Sequence, residues 1–155
     1  MNSLDFSILV PYASLLPAAL KITIQIGVAG FILATFISVI VGCCRSRKMP
    51  KIIEIILAIY VEIFRGTPLL VQLFFVYYGM PSLGFKIPPI AAAVITMGLN
   101  SGSYLSENVR ASIMAVDKGQ YEAAHMLGYN SFQTNIHIIL PQAMRIAIPS
   151  FMNGF

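Results

Sequence analysis

The chain has 155 residues, 57% of them hydrophobic and only 10% charged, with a mean hydropathy of +0.80. A soluble domain carries about 25% charged residues, and a soluble core of this length has no room for so much apolar surface, so the chain is read as membrane-embedded. The net charge of +4 is concentrated in Arg45, Arg47, Lys48 and Lys51. Beside an apolar run such a cluster marks the cytoplasmic side of a membrane rather than a nucleic-acid site, and no nucleic-acid partner is expected.

The first twenty residues lack a basic n-region and are interrupted by Asp5, Pro11 and Pro17. No cleavable signal peptide is therefore expected, and the first span acts as its own insertion signal. Crossing the hydrocarbon takes about 20 apolar residues in a helix. Residues 20–44 meet that length, with Lys21 as their only charge. Cys43 and Cys44 are adjacent and suggest neither a disulfide framework nor a metal site. Residues 52–78 form a second candidate, longer than a straight crossing needs. It holds Glu54, Glu62 and Arg65, then Gly66-Thr67-Pro68, where the proline's missing donor and the glycine's looseness predict a kink. Glu62 and Arg65 are spaced as a structural i, i+3 pair, and Tyr77 and Tyr78 suit the outer interface. The third span covers residues 90–114. A fourth begins at about Pro141 and reaches Phe155 before it can finish crossing, which predicts a fragment of a longer protein. The fold class expected is all-α: a polytopic membrane helix bundle of three complete spans and the start of a fourth. Residues 43–51 carry the four basic side chains and residues 80–89 only Lys86. The first loop is thus cytoplasmic, the N-terminus outside, and residues 117–141 form a second cytoplasmic loop.

Charges inside the bilayer cost about 2.5–3.5 kcal/mol on insertion scales and so call for a reason. Asn100, Ser103, Tyr104 and Glu107 share one face of the third span, with Arg110 three residues beyond Glu107. One reading makes this face line a translocation path; the other has Glu107 and Arg110 pair near the cytoplasmic interface. Gly98, Gly102 and Ser106 form a second stripe suited to close helix packing.

In the cytoplasmic loop Asp117 can cap a helix to about Leu127, and Gly128 can end it in a left-handed turn. Asn130 or Ser131 can cap a second helix that ends before Pro141. Phe132, Ile136, Ile139 and Leu140 then share a face, and Ala124 and Gly128 leave room for another backbone. His125 and His137 lie alone, so no metal site is expected. A hairpin packed on its own bundle and a docking element for a partner groove both fit.

Glu122-Ala123-Ala124, Gly128, Ile138, Leu140 and Pro141 spell EAA, three residues, G, nine residues, I-x-L-P. This segment resembles the EAA loop of permease subunits of ATP-binding-cassette importers. Residues 62–72, reading EIFRGTPLLVQ, are similar to the second-span signature of polar amino-acid permeases of the histidine/glutamine/cystine type. Lys118-Gly119-Gln120, Pro141-Gln142-Ala143 and Arg145 match that family's other marks, and the likeness runs from about residue 15 to the end. The resemblance implies that residues 1–155 are a permease domain incomplete at its C-terminus, in a bacterial cytoplasmic membrane. It further implies that residues 117–141 couple to cytoplasmic ATP-binding subunits through Glu122, Ala123, Ala124 and Gly128. A second permease subunit, an extracytoplasmic amino-acid-binding protein and a polar amino-acid substrate are the other implied partners. No phosphate-cradling glycine loop precedes a lysine and no catalytic arrangement is evident. The chain is therefore expected to be no enzyme and to hold no cofactor, with ATP hydrolysed by a separate subunit. The rival from another class is an autonomous secondary transporter or channel built on the third-span carboxylate.

Overall fold

The computed structural model describes residues 13–47 and 49–153, and every regular element among them is helical. Helix α1 (Leu16–Arg45) follows a short 3₁₀ turn, carries Pro17 in its first turn, where a missing donor costs nothing, and has Arg45 in its last. Helix α2 (Lys51–Gly66) returns from the basic loop. Helix α3 (Leu69–Phe74) continues through a π-helical turn (Phe75–Gly79) into α4 (Met80–Ser82). Helix α5 (Pro89–Met114) starts on two prolines and leads into the polar segment. There α6 (Lys118–Met126) is followed by α7 (Ser131–Thr134), a second π turn (Asn135–Ile139) and α8 (Leu140–Asn153).

Two expectations change here. The kink predicted within residues 52–78 is a full break: Thr67 is extended (φ −115°, ψ 140°) and a new helix starts after Pro68. A proline bars its preceding residue from the helical region, so the span is made of two helices. The second loop helix was expected to end before Pro141 but passes through it into α8. The π turn just upstream is the reason. There the Leu140 amide donates to the Asn135 carbonyl, five residues back. The wider turn draws the preceding carbonyls away from the proline ring, which would clash with them in a regular helix. Pro81 has the same arrangement, two residues beyond the π turn at 75–79, where Met80 donates to Phe75.

The polarity of the bundle is inverted relative to a soluble protein. Its buried positions include Ala34, Ser38, Ala92, Thr96, Ser103 and Ser106, while Leu20, Ile24, Val28, Ile32, Phe36 and Ile40 stand exposed along α1. Small residues inside and large apolar ones outside is the packing expected in lipid. Buried hydroxyls turn onto carbonyls of their own helix, as Thr96 does to Ala92 (2.7 Å) and Ser106 to Ser103 (2.7 Å). Among the described residues α1, extended back to Ala13, is the one helix both long and apolar enough to cross a membrane alone. The 26 residues of α5 supply the length, but Asn100, Ser101, Ser103 and Tyr104 dilute its apolar character.

The small stripe of α5 packs on α1. A methyl group at Gly98 would sit 2.5 Å from Leu33 Cδ2, and one at Gly102 3.0 Å from Ile37 Cγ2. Farther along, a methyl at Gly42 would lie 2.6 Å from Val109 Cβ and 2.7 Å from the Ser106 carbonyl. Numbering rises together on the two helices, so they run parallel, as expected of first and third spans. Helix α8 packs on α5 through Ala143, Ala147 and Phe151 and runs the other way, because Phe151 shares a cleft with Gly27, Val28 and Phe31.

Gly42 is where α1 and α5 approach most tightly against backbone. Gly42→Ala should destabilise the bundle by about 1–3 kcal/mol through overpacking, read as a lower thermal midpoint in detergent. Gly27→Ala, with nothing within 4 Å, should not lower it.

Candidate functional site

The break at Gly66-Thr67-Pro68 frees backbone carbonyls, and side chains take them up. Pro68 has no N–H for the Phe64 carbonyl, which instead accepts from Gln72 Nε2 (2.9 Å) and Asn100 Nδ2 (2.8 Å). The Ile63 carbonyl accepts from the Thr67 hydroxyl (2.7 Å) and the Thr67 carbonyl from Gln72 Nε2 (3.0 Å). The Arg65 carbonyl accepts from the Tyr104 hydroxyl at 3.1 Å. One span is thereby tied to the next at its interruption. Tyr60 adds a further tie, donating from its hydroxyl to the Leu99 carbonyl at 2.7 Å.

Beside this junction, toward the basic loop, an open cavity of about 330 Å³ is walled by Val61, Glu62, Arg65, Gly66 and Tyr104. The Arg65 guanidinium lies 5.2 Å from the Tyr104 ring centroid, a cation–π stack. This corrects the expected Glu62–Arg65 pair: Arg65 is turned onto the ring, and no ion pair joins the two among the described residues. Both charges stand exposed.

The four residues expected on one face of α5 fall into three settings. Asn100 serves the break, and Tyr104, 47% exposed, covers Arg65. Ser103 is fully buried, its hydroxyl on the Asn100 carbonyl at 2.6 Å. Glu107 belongs to an ion cluster nearer the basic loop: it accepts from Arg110 Nε (3.1 Å) and from Arg45 Nη1, so one carboxylate clamps α1 to α5. Gln72 stands in the sequence only as the last residue of the 62–72 signature, and neither it nor Tyr60 is expected there to serve the break. A glutamine alone in the apolar run 69–79 was the available signal, because such a group needs a partner.

The polar segment is a helical hairpin fixed by its caps. Asp117 Oδ1 accepts from the Gly119 amide (2.7 Å), and Asn130 and Gln133 form a reciprocal capping box (2.9 and 3.0 Å). Between them Gly128 takes φ +81°. Its amide bonds the His125 carbonyl and that of Tyr129 the Ala124 carbonyl, both at 3.0 Å, which closes α6 in a Schellman turn. Gln142 Nε2 donates to Gln120 Oε1 at 3.2 Å and so joins the start of α8 to α6. Ala124 is 1% exposed and packs inward, whereas Glu122, Ala123 and Gly128 face out. Around Gly128 the tip is apolar: Met126 is 88%, Leu127 75% and Phe132 67% exposed. The expected face of Phe132, Ile136, Ile139 and Leu140 is divided. Phe132 and Ile136 point outward and Ile139 is buried, because the π turn adds one residue between them.

Residues 30–155 match the family described as binding-protein-dependent transport system inner membrane component. The chain is 38% identical over 141 residues to the L-cystine transport system permease protein TcyB of Bacillus subtilis (strain 168), covering 91% of this chain and 60% of that one. It is 39% identical over 152 residues to the arginine transport system permease protein ArtQ of the same organism, covering 97% and 69%. A crystal structure of an amino acid ABC transporter with histidines superposes with a TM-score of 0.85 at 33% identity, over 98% of this chain and 71% of that one. The chain thus spans about 60–70% of the length of such relatives.

Gln72 should be more important than its exposure implies. Gln72→Leu strands the half-buried Thr67 carbonyl and weakens the tie at Phe64, at a cost of about 1 kcal/mol for the lost hydrogen bond. The thermal midpoint should fall, and a cysteine placed at Leu69 should label faster with a membrane-permeant maleimide.

Proposed function

The chain belongs to the family of binding-protein-dependent transport system inner membrane components, and on that premise we propose that it is the permease subunit of an ATP-driven importer of polar amino acids. The names of its relatives, cystine and arginine permeases among them, support the substrate class. Its N-terminus lies outside and residues 117–141 lie in the cytoplasm. There the hairpin docks on a cytoplasmic ATP-binding subunit, which carries out the hydrolysis. A second permease subunit completes the path, and an extracytoplasmic binding protein delivers the amino acid.

The observation that carries the reading is the capped hairpin with an apolar tip. Met126, Leu127 and Phe132 are exposed at the end of a polar loop, and in the proposed topology lipid does not cover them. Rigid caps with apolar anchors suit insertion into a groove of a partner. Glu122, Ala123 and Gly128 form the outer contact face, and buried Ala124 lets α6 lie close on its own bundle. ATP drives transport only if the ATPases bind this hairpin differently in the two conformations. From the hairpin α8 leads back along α5, where Tyr104, with Arg65 and Glu62 opposite, lines the path. Asn100, Ser103 and Glu107 hold that face in place.

The full-length protein, reconstituted in vesicles with its partners, tests this reading. Gly128→Asn, a residue that tolerates the left-handed region, should keep ATP-dependent uptake, and Gly128→Val should lose most of it. Met126→Glu with Leu127→Glu should weaken ATPase co-purification by roughly ten-fold or more, as for central interface anchors, with the thermal midpoint unchanged. Uptake that continued without ATP, driven by an ion gradient and indifferent to these changes, would instead identify a secondary transporter.

A further inference from the structure

Where the ends of α1, α2 and α5 meet, a cavity of about 150 Å³ opens beside the basic loop. Its polar wall is Arg45, Arg47, Arg110 and Glu54, and its floor includes Met49 and Leu57. Arg45 and Arg110 share a single carboxylate, Glu107. Each guanidinium has five N–H donors, so the clamp leaves further donors on both. Arg47 is exposed, and among the described residues no ion pair engages it or Glu54. Three guanidinium groups against two carboxylates leave the site with one net positive charge. That balance matches a single phosphodiester, and planar guanidinium forks suit phosphate oxygens. The apolar floor argues against a fully hydrated ion and for a ligand with a greasy side.

We propose that this cavity holds the phosphate of an anionic lipid headgroup from the adjoining leaflet, with the glycerol end of the lipid against Met49 and Leu57. That leaflet is the cytoplasmic one if the topology proposed above holds; the binding itself does not depend on transport. Basic pockets between membrane helices are suited to such headgroups. A lipid seated here touches the loop between α1 and α2 as well as Arg110 on α5, so it is positioned to brace the Glu107 clamp.

The test is native mass spectrometry of the full-length protein, purified with the subunits it carries from mixed phosphatidylglycerol and phosphatidylcholine. The wild type should retain phosphatidylglycerol over phosphatidylcholine. Arg47→Gln, at an exposed and unpaired position, should lower that preference roughly five-fold, the loss expected for one basic residue at an anionic surface. Glu54→Gln removes a repelling carboxylate and should raise it, so the two variants must move in opposite directions at equal thermal midpoints. Equal retention of both lipids, or variants that change nothing, would overturn the proposal. Binding of inorganic phosphate with no phosphatidylglycerol retained would overturn the lipid as occupant and leave a site for free anions.

Discussion

Inside a membrane no water is at hand to bond a stray backbone carbonyl, and this constraint governs the architecture. The second span breaks at Pro68, where no π turn precedes the proline as it does at Pro141. At the break the Phe64 carbonyl loses its donor, and the structure answers with Gln72 from α3 and Asn100 from α5. Tyr104 and Thr67 complete the set at Arg65 and Ile63. The interruption therefore fixes how three helices meet and places the open cavity beside Arg65 and Tyr104. A polar network of this kind rigidifies its surroundings when every member is satisfied.

The rest of the bundle depends on close approach. Glycines and serines of α1 and α5 bring two parallel helices into backbone contact, and the Glu107 clamp closes their common end. Beyond that end the sequence turns polar. The hairpin holds its shape with caps, a Schellman turn and a glutamine pair. Its large apolar side chains at 126, 127 and 132 face away from the bundle.

Much of this was legible in the residues. The ends of the first and third spans, the small stripe on α5 and the caps at Asp117, Gly128 and Asn130 all follow from local rules of periodicity and donor satisfaction. What escaped was decided by tertiary partners. Glu62 and Arg65 have pairing geometry on a free helix, but Tyr104 offers Arg65 a ring face from another span. Pro141 reads as a stop because local sterics forbid it in a regular helix, and nothing nearby announces the π turn that accommodates it. Asn100, Ser103 and Glu107 share a face by spacing, yet the break, the core and the ion cluster each claim one of them.

That π turn can be seen in the spacing of the buried side chains. The inward row runs Thr134, Ile139, Ala143, Ala147 and Phe151: one step of five, then steps of four. The surplus residue turns everything after it by about 100°, the angle that one residue subtends in an α-helix. Without that offset Phe132 and Ile136 would lie in line with Ala143 and Ala147, and one side would have to be both wet and packed. Because the two stretches are out of phase, a single rod turns its exposed side chains one way at the hairpin and its packed ones another way within the bundle. One unbroken backbone thus joins two faces that look out on different bearings.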